Sequence, residues 1–191
     1  MDFLGQTGLD ALKGADILNI APEQYSSTVE YGDNSISKKL RSIAQIHLAD
    51  LGTRVFYCDL GSFDTHADQL ATHDKLWTAA SGAIRDFFDD LEEHNAADNV
   101  TMFLFSEFGR RVYDNGAGTD HGAGGVCLAI GNQVKGGEYG QYPSMKESDL
   151  DQGDLVPDLD FRGVYTTLVE DWMKLDPVPI VGGQFEKPTF I

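Results

Sequence analysis

Three polar clusters, each containing a carboxylate and most also an imidazole, stand beside short apolar runs and constrain this chain more than any other feature. Apolar residues 53–60 lead into the cluster at residues 61–66, and apolar residues 100–105 lead into the cluster at residues 106–110. The third cluster, residues 118–122, comes just before another apolar run. Such side chains at the carboxyl ends of buried strands are typical of a hydrolytic or metal site in an α/β protein.

The apolar pattern predicts that strands and helices alternate. A helix is predicted over residues 35–51, where apolar side chains recur at three- and four-residue steps after a capping Ser35. Residues 53–60 are predicted to form a strand, residues 67–94 a long amphipathic helix, and residues 100–105 a second strand. A strand, a helix and a strand in this order predict a right-handed parallel crossover.

The rest of the chain is less regular. A glycine-rich stretch predicts loop around one short strand at residues 126–130, and Asp160 is predicted to cap a final helix over residues 161–175. Residues 1–34 are weakly patterned, with one short helix followed by a loop. The length suits one domain over residues 1–191, and the fold class predicted is α/β.

The charge of the chain narrows the classes of partner. Acidic residues number 31 against 14 basic ones, which gives a formal net charge of −17. Such a surface repels a phosphate backbone, so nucleic-acid binding is disfavoured. No stretch approaches the roughly 20 apolar residues of a membrane span, and the first residues lack the basic start and apolar run of a signal peptide. The residues alone do not indicate a compartment.

The polar clusters offer ligands for a divalent metal. The candidates are Asp64, His66, Glu107, Asp120 and His121. Because the carboxyl ends of parallel strands meet at one edge of a sheet, we expect these side chains to converge. Imidazole nitrogens and carboxylate oxygens suit zinc, manganese or iron; we favour zinc or manganese, with calcium or magnesium as alternatives. Such a metal activates water or polarises an ester oxygen.

Most of these residues also have a purely structural interpretation. Asp64 can cap the long helix that follows it, and His66 can form a hydrogen bond in the first turn of that helix. Glu107 can pair with a neighbouring arginine, and Asp120 can brace a glycine turn. His121, between Asp120 and a glycine, is harder to explain as a core residue.

Arg110 and the other histidines need separate weighing. The guanidinium of Arg110 can bind a phosphate or sulfate through two parallel hydrogen bonds, or it can pair with Glu107 or Asp114. The remaining histidines lie on predicted helices without a local set of partners, and we interpret them as surface or packing residues; they are His47, His73 and His94.

At these same residues the chain resembles a known family. Five motifs, in order, are similar to the signatures of the domain of unknown function 1501 family, which is itself similar to the alkaline-phosphatase and sulfatase superfamily. The resemblance implies an α/β/α sandwich around a mostly parallel sheet, here in partial form, and hydrolysis of phosphate or sulfate esters at one or two divalent metals. The motifs are residues 63–66, 106–110, 118–122, 136–140 and 160–165.

The resemblance also implies roles for individual residues. His66 would match a ligand of one metal, with Asp64 nearby, and His121 would match a later histidine ligand. Glu107 stands where phosphatases carry an aspartate, and Phe108 replaces the histidine that follows it, which weakens the case for a second metal. Relatives are longer, and this chain is similar to their carboxyl-terminal half; the nucleophile would come from the other half.

Two functions from different classes follow. The leading one is a metal-dependent hydrolase-like domain for small anionic esters, with Glu107 and Arg110 in catalytic roles and the nucleophile-bearing half absent. The alternative is a non-catalytic metal-binding or assembly module of an exported protein. A partial parallel sheet would expose an edge, so we expect self-association or a partner chain that covers it. The family resemblance implies a periplasmic or exported location.

Overall fold

The computed structural model describes residues 25–191, together with Gln6, Gly14 and Ala21. The short helix and loop predicted near the amino terminus therefore lie largely outside the described residues. The chain divides into two compact units. The first unit comprises residues 1–64 and 70–97, and the second comprises residues 65–69 and 98–191. The prediction of one domain over residues 1–191 stays a prediction.

Two helices dominate the first unit. Helix α1 spans Ser35–Leu48, and helix α2 spans Gln69–Glu93, of which all but Gln69 belongs to this unit. The side chain of Asn34 caps α1 by accepting a 2.9 Å hydrogen bond from the amide of Ser37, so the predicted cap, Ser35, is wrong by one residue. The apolar residues that both helices bury are Ile36, Leu40, Ala44, Ala80, Ala83, Phe87 and Leu91.

A buried carboxylate organises the carboxyl-terminal end of α2. Asp90 has no exposed surface, and one of its oxygens accepts hydrogen bonds from the hydroxyls of Tyr25, at 2.6 Å, and Tyr31, at 2.7 Å. Burial and the hydrogen bond to Asp90 raise the pKa of Tyr25 to about 12, and the same causes raise the pKa of Tyr31 further. Both tyrosines therefore remain protonated and donate to Asp90.

The second unit contains short strands and short helices. Strand β1 pairs antiparallel with β4, and β2 pairs antiparallel with β3, which gives two separate two-stranded sheets. The elements are β1 (Met102–Leu104), β2 (Gly109–Asp114), β3 (Thr119–Gly122), β4 (Leu128–Ile130), α3 (Phe161–Thr167) and α4 (Val178–Val181), with 3₁₀ turns at Ala97–Asn99 and Glu147–Asp149.

The last predicted helix has a composite form. Asp160 caps α3 as predicted, because its carboxylate accepts a 2.9 Å hydrogen bond from the amide of Arg162. A wider π-helical turn, Leu168–Trp172, continues α3 and closes with the amide of Met173 on the carbonyl of Leu168, at 3.0 Å. None of the described helices is both long and apolar enough to cross a bilayer.

The strands differ most from the prediction. Residues 53–60 form no strand, and Val55 and Tyr57 are 69% and 78% exposed. Their composition favours a strand, but a strand also needs a partner to pair its backbone groups. The predicted strand at residues 100–105 shortens to β1, and its partner is antiparallel. Within residues 25–191 the fold is thus mixed helix and sheet, with antiparallel pairing in place of a parallel crossover.

Candidate metal centre

A β-hairpin in the second unit carries half of the candidate centre. Asn115 begins its turn: the side-chain oxygen of Asn115 accepts hydrogen bonds from the amides of Ala117, at 3.1 Å, and Gly118, at 2.9 Å. Gly116 adopts a φ of +94°, which favours glycine. The register pairs Arg110 with His121, so their side chains share one face of the hairpin. The hairpin lies where the sequence predicted only loop.

His66 and His121 come together although they are far apart in the sequence. Their ring centroids lie 4.9 Å apart with planes inclined by 30°, and their ligand nitrogens lie within 4.8 Å of each other. Two nitrogens bound to one zinc at about 2.1 Å each are separated by at most about 4.2 Å. A small rotation about either side chain therefore brings both within reach of one ion.

Phe108 supports the ring of His121 from its other side. The two rings are nearly parallel, with centroids 4.0 Å apart and planes inclined by 10°. The guanidinium carbon of Arg110 lies 5.1 Å from the centroid of the Phe108 ring. His121 is thus held between Phe108 and His66. The sequence indicates Phe108 only as a replacement for a ligand and does not reveal this contact.

Asp120 lies beside His66. One of its carboxylate oxygens is 3.4 Å from Nδ1 of His66 and accepts a 3.1 Å hydrogen bond from the side-chain amide of Asn115. These contacts, that of Asn115 first, hold the pKa of Asp120 below its usual value. The side chains of His66 and Asp120 are 53% and 61% exposed, so the pair is open to solvent. A carboxylate in this position orients an imidazole for metal binding.

The other two predicted carboxylates occupy different places. Asp64 is the last residue of the first unit; it is exposed, and only Thr65 separates it from His66 in the chain. Glu107 is exposed at a bend after β1, and among the described residues it is not in the cluster of ligand atoms around His66 and His121. The roles of Glu107 in metal binding and catalysis stay predictions.

Arg110 contacts main-chain oxygens of two segments. Its Nη1 donates to the carbonyl of Thr65, at 2.8 Å, and to the carbonyl of Thr119, at 2.6 Å. Its Nη2 lies 3.4 Å from Oγ1 of Thr65. Thr65 immediately precedes His66, and Thr119 immediately precedes Asp120. Binding of an anion by Arg110 stays a prediction, and the structure adds an unpredicted role, in which this side chain links the two segments.

Gln69 and Asn115 add further links between the same two segments. Oε1 of Gln69 accepts hydrogen bonds from the amide of Thr119, at 2.6 Å, and from its hydroxyl, at 3.0 Å. The side-chain amide of Asn115 also donates to the carbonyl of His66, at 3.3 Å. A Cβ on Gly118 would lie 2.7 Å from Oε1 of Gln69, so glycine permits this close approach. Neither Gln69 nor Asn115 was predicted to support the centre, although the dipeptide Asn115-Gly116 is a hairpin signal.

The fold and the centre together define a protein of mixed helix and antiparallel sheet, with candidate metal ligands on a β-hairpin and on the segment just before α2. Residues 11–171 match the model of a family described as "Protein of unknown function (DUF1501)". Since this match covers most of the chain, the protein belongs to that family. No curated protein and no solved structure matches the chain.

Proposed function

We propose that this chain is a metal-dependent, hydrolase-like domain that acts on phosphate or sulfate esters and binds one divalent ion through His66 and His121. The observation that carries the proposal is the convergence of two imidazoles from separate segments, with ligand nitrogens within 4.8 Å of each other. Two neutral imidazoles this close can both donate a nitrogen lone pair to one cation. Their positions are supported by the contacts of His121 with Phe108, of His66 with Asp120 and of Thr65 with Arg110.

The set of donors favours zinc or manganese. Two imidazoles are poor ligands for calcium and magnesium, which prefer oxygen. Asp64, separated from His66 only by Thr65, is proposed as a third ligand. Asp120 is proposed to orient His66 through the 3.4 Å contact with Nδ1. Three protein ligands leave a position open, which is the arrangement of catalytic rather than structural zinc sites.

The exposure of the centre suits a small anionic ester. When bound, the ion supplies positive charge that polarises the ester or an attached water. Such local charge matters here because the formal net charge of −17 works against the approach of any anion. Glu107 is kept as a candidate catalytic carboxylate. The family resemblance implies that the nucleophile comes from the amino-terminal half of the longer relatives.

The wider placement is part of the same proposal. The order of the motifs supports the alkaline-phosphatase and sulfatase superfamily, with an α/β/α sandwich around a mostly parallel sheet and a periplasmic or exported location. In that fold, residues 53–60 would pair as a strand with a further segment. The exposure of Val55 and Tyr57, at 69% and 78%, is what an unpaired strand of that kind would show.

One observation favours the alternative, a non-catalytic metal-binding or assembly module. Apolar side chains close to the β1–β4 sheet are unusually exposed: Phe105 at 52%, Val126 at 73% and Leu128 at 40%. Exposed apolar groups that cluster in this way are typical of surfaces that associate. In this alternative a second copy or another chain covers the sheet, and the ion stabilises the fold.

Metal analysis and ester hydrolysis test the proposal together. The purified chain, reconstituted with zinc or manganese, is assayed on aryl phosphates and aryl sulfates, alongside His121→Ala. The control is His47→Ala, which removes a histidine of the first unit that packs against Phe56. Bound metal and turnover that His121→Ala abolishes and His47→Ala retains support the hydrolase. Bound metal without turnover supports a metal-binding module, and metal-free protein without turnover contradicts the hydrolase and supports an assembly module.

A further inference from the structure

Arg110 joins the two segments that carry the candidate ligands. Its Nη1 donates to the carbonyls of Thr65 and Thr119 at once, at 2.8 Å and 2.6 Å. Each acceptor immediately precedes a residue of the centre, His66 on one segment and Asp120 on the other. A fixed guanidinium bonded to both carbonyls limits how far the segments can separate.

From this arrangement we propose that Arg110 is a positioning residue, which sets the distance between His66 and His121 and so determines the affinity of the centre for metal. The proposal rests on the proposed metal site, and it gives Arg110 a role other than binding a substrate anion. Its pairing with His121 across the hairpin adds a second constraint, because the side chains of a directly opposed pair lie side by side.

Charge and geometry both support this role. Hydrogen bonds from a charged donor are about twice as strong as those between neutral groups. The guanidinium of Arg110 makes two such bonds, to the carbonyls of Thr65 and Thr119. The guanidinium also lies 5.1 Å from the ring of Phe108, which stacks on His121. Arg110 therefore acts on His66 through Thr65, and on His121 through Phe108 and the strand register.

A lysine cannot reproduce this arrangement fully. Its ammonium is a single point of charge on a flexible stem, whereas the guanidinium is a planar fork with fixed donor directions. Arg110→Lys keeps the charge and can reach one carbonyl, and Arg110→Met removes the charge and every donor. The two variants should therefore form a graded series, with Lys between wild type and Met.

The chain offers a matched control on the same strand. Arg111 pairs with Asp154, at 3.2 Å between Nε and Oδ1, and lies near the carbonyl of Gln152, at 3.4 Å. The charge of Arg111 also acts on Asp120, so its removal matches the electrostatic change while the hydrogen bonds of Arg110 are kept. Arg111→Met removes the same charge from the hairpin and leaves the links to Thr65 and Thr119 intact.

The test has one measurement without metal and one with it. In the metal-free protein, the amide of Thr119, which donates to Oε1 of Gln69 at 2.6 Å, should exchange about tenfold or more faster in Arg110→Met, because loss of the hydrogen bonds from a charged donor lets the two segments separate more often. It should remain at the wild-type rate in Arg111→Met. With cobalt as a spectroscopic probe, Arg110→Met should bind about 10- to 100-fold more weakly with an altered d–d spectrum, and Arg110→Lys should be intermediate.

Each result is decisive. Unchanged exchange in Arg110→Met overturns the link between the segments, and faster exchange with wild-type cobalt affinity and spectrum overturns the positioning role. Loss of ester binding alone would assign Arg110 to the anion and also overturn it. A wild-type chain that binds neither cobalt nor zinc overturns the proposed function and the metal role of Arg110, while exchange still decides the link. If Arg110→Met does not fold, Arg110→Lys carries the same comparisons against Arg111→Lys.

Discussion

The ring of Phe108 lies flat against the ring of His121, with centroids 4.0 Å apart and planes inclined by only 10°. Such contact restricts the rotation of the imidazole about its side-chain bonds. A ligand that is already oriented loses less conformational entropy when it binds an ion. Phe108 therefore contributes to the centre through His121, although it has no ligand atom of its own.

Replacing Phe108 by alanine should weaken both the fold and metal binding. Aromatic pairs contribute about 0.5–1.5 kcal/mol beyond the area that they bury, so we expect at least that loss in the free energy of unfolding. Zinc affinity should fall as well, because His121 becomes free to rotate. Denaturant unfolding and zinc titration measure the two effects. Phe108→Tyr keeps the ring and should resemble wild type; equal zinc affinity in both variants would contradict the prediction.

Replacing Asp120 by asparagine should weaken metal binding without removing a ligand. The asparagine keeps the shape but loses the negative charge beside Nδ1 of His66, and changes of this kind cost about 10- to 100-fold in metal affinity. Zinc titration by calorimetry measures the change. Asp149→Asn is the matched control, since Asp149 is an exposed carboxylate that, among residues 25–191, accepts hydrogen bonds from the nearby hydroxyls of Ser144 and Ser148. A loss far above 100-fold would instead identify Asp120 as a direct ligand.

Removing one hydroxyl at the buried Asp90 should destabilise the first unit. Tyr31→Phe deletes a 2.7 Å hydrogen bond to a carboxylate without exposed surface, and hydrogen bonds to charged groups contribute about 1.5–3 kcal/mol. Denaturant unfolding should show a loss in this range. Tyr57→Phe, at a residue that is 78% exposed, should leave the stability unchanged. Equal stability of the two variants would show that the hydrogen bond from Tyr31 to Asp90 does not contribute to the free energy of unfolding.

The stability of the first unit should fall as the pH rises above neutrality. Nδ1 of His94 lies 2.8 Å from the carbonyl of Asp90 and Nε2 lies 2.9 Å from the carbonyl of Ser26; both partners only accept, so both contacts favour the doubly protonated ring. The first of these bonds is the main cause that raises the pKa of His94, against the effect of partial burial.

The sign follows from linkage. The stabilisation from His94 is complete below the unfolded-state pKa of about 6.5 and is lost as the pH rises through the higher folded-state pKa. His94→Gln should flatten the fall in melting temperature above pH 6.5. His47 has the opposite sign, because burial lowers its pKa: its contribution to stability is complete above the unfolded-state pKa of about 6.5 and is lost as the pH falls through the lower folded-state pKa. A melting profile that His94→Gln leaves unchanged would refute the assignment.

Helices could be predicted from the sequence because their signals are local. Residues 67–94 were predicted as a helix, and α2 spans Gln69–Glu93. The cap at Asp160 was also found, since a side chain and an amide two residues on settle it. The early end of α3 could not be predicted, because the π-helical turn at Leu168–Trp172 shifts the hydrogen-bond pattern without a proline or glycine to signal it.

The strand predictions failed because a strand must pair with a segment that is distant in the sequence, and a local pattern does not identify that segment. Residues 53–60 have the composition of a strand, yet no segment pairs with them in the described part of the chain. The β2–β3 hairpin was missed for the opposite reason: its glycines read as loop, and Asn115-Gly116 was not recognised as a turn between strands.

Only part of the candidate centre could be predicted from the sequence. The residue types and motif spacing singled out His66, Asp120 and His121, and the structure brings these three together. The supporting residues could not be predicted, because Gln69 and Phe108 belong to residue types that are common in any helix or core. Their roles depend on contacts across long stretches of the chain.

Division into two units gives each of them its own fluorescent reporter. The chain contains two tryptophans: Trp77 lies in α2 within the first unit, and Trp172 lies in the π-helical turn of the second. Trp172→Phe leaves emission from the first unit alone, and Trp77→Phe leaves that from the second. Matching midpoints in the two variants would mean that the units melt as one cooperative body, and separate midpoints would give each unit a free energy of its own.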